Sequence, residues 1–70
     1  MTRTPVSSSN IVSIGYNSAN QILEVEFKDS SVYEYFEVPS FLNDGLMRAS
    51  SKGTFLAQRI KEKYRYQRIR

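Results

Sequence analysis

Gln21-Ile22-Leu23-Glu24-Val25-Glu26-Phe27 is the stretch that decides the fold. Side chains alternate sides along an extended chain, so Leu23, Val25 and Phe27 share one face and Glu24 and Glu26 share the other. One face therefore meets a core and the other meets water, the pattern of an antiparallel sheet solvated on one side. Downstream, Lys28-Asp29-Ser30-Ser31 is hairpin chemistry, and Val32-Tyr33-Glu34-Tyr35-Phe36, β-branched and aromatic, reads as the next strand. Its facing is set against itself. Glu34 argues for Val32, Glu34 and Phe36 outward, whereas two large apolar residues beside Glu34 argue the reverse. The reading adopted puts Tyr33 and Tyr35 on the core side, with their hydroxyls at the sheet rim.

Upstream, Ile11-Val12-Ser13-Ile14-Gly15-Tyr16 alternates with Val12, Ile14 and Tyr16 on one face, and Asn17-Ser18-Ala19-Asn20 supplies a turn. Val38-Pro39 ends the sheet, because proline cannot donate to a ladder yet suits a helix's first turn. From Ser40 the period changes: Leu42, Gly45, Leu46 and Ala49 mark an amphipathic helix to about Ala49. Gly45 costs about 1 kcal/mol relative to Ala there, tolerable where a neighbouring element packs closely. Ser50-Ser51-Lys52-Gly53 breaks that helix, Ser51 is placed to cap the next, and Leu56, Ile60 and Tyr64 form its apolar stripe. The final Tyr64-Arg65-Tyr66-Gln67-Arg68-Ile69-Arg70 reads either as a short extra strand or as an ordered tail. The expectation is an α+β domain, a three-stranded antiparallel β-meander followed by two α-helices packed on one face (β-β-β-α-α). Residues 1–8 are expected as a flexible lead, 9–66 as the domain, and 67–70 as a basic tail.

Seventy residues make one domain with a thin core, since a chain of this size buries only about 60% of its unfolded surface. The chain has no Cys and no His, which removes disulfides and ordinary zinc sites. It also removes the commonest general base and the thiol nucleophile, so an enzyme is not expected, nor any cofactor or metal. Glu24 and Glu26 lie two apart on one strand face, where solvated carboxylates are ordinary. No segment approaches the roughly 18 apolar residues of a membrane span, and Met1 to Asn10 has no signal-peptide core; the expected compartment is the cytoplasm.

Charge is divided along the chain. Met1 to Met47 holds two basic and six acidic residues, a net −4, whereas Arg48 to Arg70 holds eight basic residues against Glu62 alone, a net +7. The candidate nucleic-acid contacts are Lys52, Arg59, Lys61, Lys63, Arg65, Arg68 and Arg70, with Tyr64 and Tyr66 interleaved as stacking planes. The same cations also serve as a solubilising helix end, and they suit an acidic protein surface. Ser51-Lys52-Gly53-Thr54 resembles a phosphate loop superficially, without its glycine spacing or a preceding strand.

The ordered set Val6-Ser7-Ser8-Ser9-Asn10-Ile11, Ile14-Gly15-Tyr16, Leu23-Glu24-Val25-Glu26-Phe27, Val32 to Pro39, Ala49 to Phe55, Ile60 and Tyr64-Arg65-Tyr66 resembles the KTSC domain, named for the C-terminal end of some lysyl-tRNA synthetases. Its Tyr-x-Tyr hallmark is matched by Tyr33-Glu34-Tyr35. The hairpin before that motif often carries Gly in the family and here is Asp29-Ser30-Ser31. The resemblance implies a small bacterial or phage protein as readily as a synthetase appendage, and by that association RNA as the partner. A protein partner or a homodimer is the alternative, because a three-stranded sheet leaves edges that another chain can pair with.

Overall fold

The computed structural model describes all 70 residues, Met1–Arg70. The element order is β1 (Thr4–Pro5), β2 (Ile11–Asn17), β3 (Ile22–Phe27), β4 (Val32–Tyr35), α1 (Ser40–Arg48), α2 (Lys52–Arg59) and β5 (Tyr66–Arg68). The α+β class and the two helices are as expected, but the sheet has five strands in the order β1-β2-β3-β4-β5, every neighbour antiparallel. Thr4–Pro5 of the expected flexible lead pairs with Ser13 and Ile14. The expected tail is likewise part of the sheet. Arg65 O accepts the Phe36 N–H, Val32 O accepts the Ile69 N–H, and Arg70 O accepts the Val32 N–H, so the last six residues run the length of β4.

The central register settles which way the tyrosines face. Leu23 lies opposite Tyr35 and Val25 opposite Tyr33, while Glu24 lies opposite Glu34 and Glu26 opposite Val32. Paired residues share a face, so Tyr33 and Tyr35 stand on the core side with Leu23 and Val25. Strand β2 departs from simple alternation. Ile11 pairs with Phe27 and Ser13 with Glu26, so Val12 is the extra residue of a bulge. The bulge puts both Ile11 and Ile14 in the core and turns Val12 out to solvent, the reverse of the facing that alternation predicts for Val12.

The core comprises Ile11, Ile14, Leu23, Val25, Tyr35 and Val38 from the sheet side, with Leu42 and Leu46 of α1 and Leu56 and Ile60 at the end of α2. A Cβ on Gly45 would lie 2.7 Å from the Phe55 ring, so the glycine is what lets α2 approach α1. Ser51 does precede α2, but its hydroxyl donates to Thr54 Oγ1 at 2.9 Å rather than accepting from a backbone N–H. Helix α2 ends at Arg59, and Ile60 and Tyr64 reach the core from the turns that follow. No helix is long and apolar enough to cross a membrane.

Candidate functional site: an aromatic groove with a basic rim

The helices cover the middle of the sheet's inner face, and toward β5 that face stays open. Its floor is Tyr33 and Tyr35 of β4 and Tyr66 of β5, flanked by Phe27. Tyr66 pairs with Tyr35 across the ladder. The rings are close: Tyr33 and Tyr35 are 6.4 Å apart at 22° to each other, Tyr33 and Tyr66 5.7 Å apart, Tyr35 and Tyr66 6.0 Å apart. Phe27 meets Tyr33 edge-on at 5.7 Å. The residues after α2 (Lys61, Glu62 and Tyr64) form the opposite wall, and Asn10 and Ser31 stand at the end. The groove measures about 660 Å³.

Tyr35 is only 1% exposed, and its hydroxyl, which makes no hydrogen bond within the protein, meets solvent at the groove. Burial, with Tyr33 and Tyr66 beside it, pushes that phenol up to about 12. It is therefore a neutral donor at any ordinary pH. A second concavity of about 710 Å³ adjoins the first, with Glu62, Tyr64 and Tyr66 common to both and Lys63, Arg65 and Phe36 on its far side.

The nine residues singled out from the sequence do not form one surface. Lys61, Lys63, Tyr64, Arg65 and Tyr66 lie together around the two concavities. Arg68 pairs with Tyr33 in the ladder, which places it on the groove's face of the sheet. Arg65 lies over the Phe36 ring at 5.7 Å and 3.7 Å from Glu37, a pair so exposed that it holds little energy. The other three are engaged elsewhere. Lys52 donates to Ala49 O at 3.0 Å, and Arg59 lies over the Phe55 ring at 5.6 Å. Arg70 crosses to the outer face, donating to Glu26 Oε2 at 2.8 Å and to Ser30 O at 3.1 Å.

That outer face is a closed ionic layer. Arg3 forms an ion pair with Glu24 and donates to Ser13 Oγ at 3.1 Å, and Ser13 donates to Glu26 Oε1 at 2.9 Å. Glu34, desolvated and against the Glu24 carboxylate, titrates above the ordinary carboxylate range. Glu24 and Glu26 are thus bound to arginines rather than set out as a solvated pair. Sequence reasoning missed Asn10, Phe27 and Lys28 as groove residues, because they come from two segments far apart in the chain that only the fold brings together.

Fold and site together define a class: a small α+β domain whose meander is covered by two helices over its middle and left open at β4–β5 as an aromatic groove with a basic rim. The chain belongs to the KTSC domain family, which it matches over residues 7–64. It is 42% identical to a KTSC domain protein from Yersinia pestis whose crystal structure superposes with a TM-score of 0.95 over 99% of this chain and 97% of that one. A protein of Stutzerimonas stutzeri is 41% identical over 99% of both chains. A lysine–tRNA ligase of Trichormus variabilis is 43% identical over 77% of this chain, which corresponds to 10% of the ligase.

Proposed function

We propose that this domain binds single-stranded RNA, with little sequence preference in its phosphate contacts, through Lys61, Lys63, Arg65 and Arg68. The observation that carries the reading is that Lys61, Lys63 and Arg65 line the open aromatic groove and the concavity beside it together with Tyr64 and Tyr66, with Arg68 on the same face of the sheet. Phosphates supply most non-specific affinity, and aromatic planes on a sheet are how single strands are held by stacking. The similar segment in lysine–tRNA ligases supports RNA as the polymer.

The test is anisotropy of a labelled single-stranded RNA across a salt series, on the parent chain and on Arg65→Glu/Arg68→Glu. Binding that weakens steeply with salt and is lost in the double variant is the expected result. Absent binding at low ionic strength, or binding indifferent to salt, sinks the reading.

Self-association is the second reading, favoured by β5, a three-residue sheet edge exposed along its length. Sedimentation over a concentration series separates the two. A dimer indifferent to RNA supports the second, and a monomer that shifts with RNA supports the first.

A further inference from the structure

The geometry points to the groove beside β4 and β5 as a nucleobase pocket that admits an unpaired base of the bound strand; the inference rests on the single-strand reading above. Four features of the groove carry it. First, at about 660 Å³ it has the size of a small-ligand site and holds a base with its sugar. Second, its floor offers flat π-faces at Tyr33, half-buried, and at Tyr66, 59% exposed and free to meet an incoming ring. Third, the Tyr35 hydroxyl is a donor and acceptor at the groove, on a ring fixed by the core. A base edge presents both kinds of partner to it.

The fourth feature is charge. Beyond Tyr64 and Tyr66 the second concavity places Lys63 and Arg65 where the phosphate attached to a seated base would lie. Asn10, at the groove's end, adds an amide able to read a base edge. Its seat depends on Gly53, since a Cβ there would lie 2.5 Å from Asn10 Oδ1. An apolar peptide side chain would leave the Tyr35 hydroxyl and the Asn10 amide unsatisfied, whereas a paired base would hide the edge they need.

Three labelled oligomers of equal length decide the matter: oligouridylate, oligoadenylate and an abasic ribose-phosphate chain. Each is titrated at low salt with the parent protein, Tyr66→Ala and Tyr35→Phe. The chain has no Trp, so tyrosine fluorescence reports stacking directly. The base-bearing oligomers should bind about tenfold more tightly than the abasic chain and quench the tyrosines. Tyr66→Ala should remove that advantage and leave abasic binding as it was. Tyr35→Phe keeps the ring packed and should weaken only the base-bearing oligomers, by a few-fold. Equal affinity for abasic and base-bearing chains, or variants that lose abasic binding to the same degree, overturns the pocket and leaves the single-strand reading standing. If none of the three oligomers binds, the single-strand reading falls and takes the pocket with it.

Discussion

At the scale of single residues, two positions carry testable strain or charge. Ser30 sits in the β3–β4 hairpin with φ 74°, a left-handed conformation that costs a non-glycine residue about 1–2 kcal/mol. Asp29 makes the turn workable, its carboxylate accepting from the Ser31 N–H at 3.0 Å and the Ser31 hydroxyl at 2.6 Å, bonds that hold it below the ordinary carboxylate range. Ser30→Gly relieves the strain at some cost in unfolded-chain entropy, for a net gain of about 0.5–1 kcal/mol in urea denaturation. An unchanged midpoint would mean that the turn relaxes around serine. Tyr35 gives the pH prediction. Its phenol is neutral when protonated and its folded pKa, about 12, lies above the ordinary value of 10.0, so folding favours the protonated form. That stability is complete below pH 10 and is lost as pH rises from 10 toward 12. The denaturation midpoint should fall across this window in the parent and fall less in Tyr35→Phe; parallel curves would refute it. The inward facing of this tyrosine was only half legible: Glu34 argued for it and Val32 and Phe36 against it, and the register that sets Leu23 opposite Tyr35 and Val25 opposite Tyr33 decides it. Its unpartnered hydroxyl was not, since partners are fixed only by packing.

Among elements, the first strand was the least legible, having no pattern of its own, and the last was half legible, its alternation leaving strand and ordered tail both open until pairing decides. Thr4–Pro5 holds a proline and no alternation, and pairs at the edge of β2, where proline is tolerated. Tyr66–Arg68 returns to β4 only after two helices have intervened. The bulge at Val12 is similar: Ile11 and Val12 are equally β-branched and apolar, and only β3 decides which one is buried. What holds β1 in place is Arg3, whose side chain passes over Gly15 beside the Thr2 carbonyl. A Cβ there would lie 2.9 Å from Thr2 O and 3.0 Å from Arg3 Cγ. Arg3 in turn neutralises Glu24, which is only 7% exposed. Removing one partner of a buried pair leaves an uncompensated charge and costs about 3–5 kcal/mol when both are fully buried. The Arg3 side chain keeps 25% of its exposure, so Arg3→Ala should cost about 2 kcal/mol, the partial solvation lowering the figure. Adding Glu24→Gln should recover much of the loss, because the carboxylate that needed Arg3 is gone. A double variant as unstable as Arg3→Ala alone would show that packing over Gly15, not charge, is what matters.

Across the whole molecule, the sheet separates two ionic populations that lie interleaved in the sequence. The uneven charge of the two chain halves was legible at once, but the division between the faces was not. Arg70, 44 residues from Glu26 along the chain, closes the acidic outer layer, while Arg68, two positions earlier, lies on the groove's face. Alternation alone would keep Arg68 and Arg70 on one face. The Ile69 and Arg70 N–H groups both donate to Val32 O, a bulge past the end of β5 that turns Arg70 to the other side. This sorting changes the expected response to salt. A linear count of the C-terminal cations suggests five or six phosphate contacts, whereas the structure leaves Lys61, Lys63 and Arg65 at the two concavities and Arg68 on the same face of the sheet. With a slope of about −0.7 per contact for single strands, log affinity against log salt should run near −3. Lys63→Gln should reduce that slope by roughly one contact's share. Arg70→Gln should leave it unchanged and lower stability instead, because Glu26 loses the 2.8 Å bond that ties β5 to the outer face. If Arg70→Gln flattens the slope as much as Lys63→Gln does, the strand contacts both faces, and the sheet does not divide the charges by task.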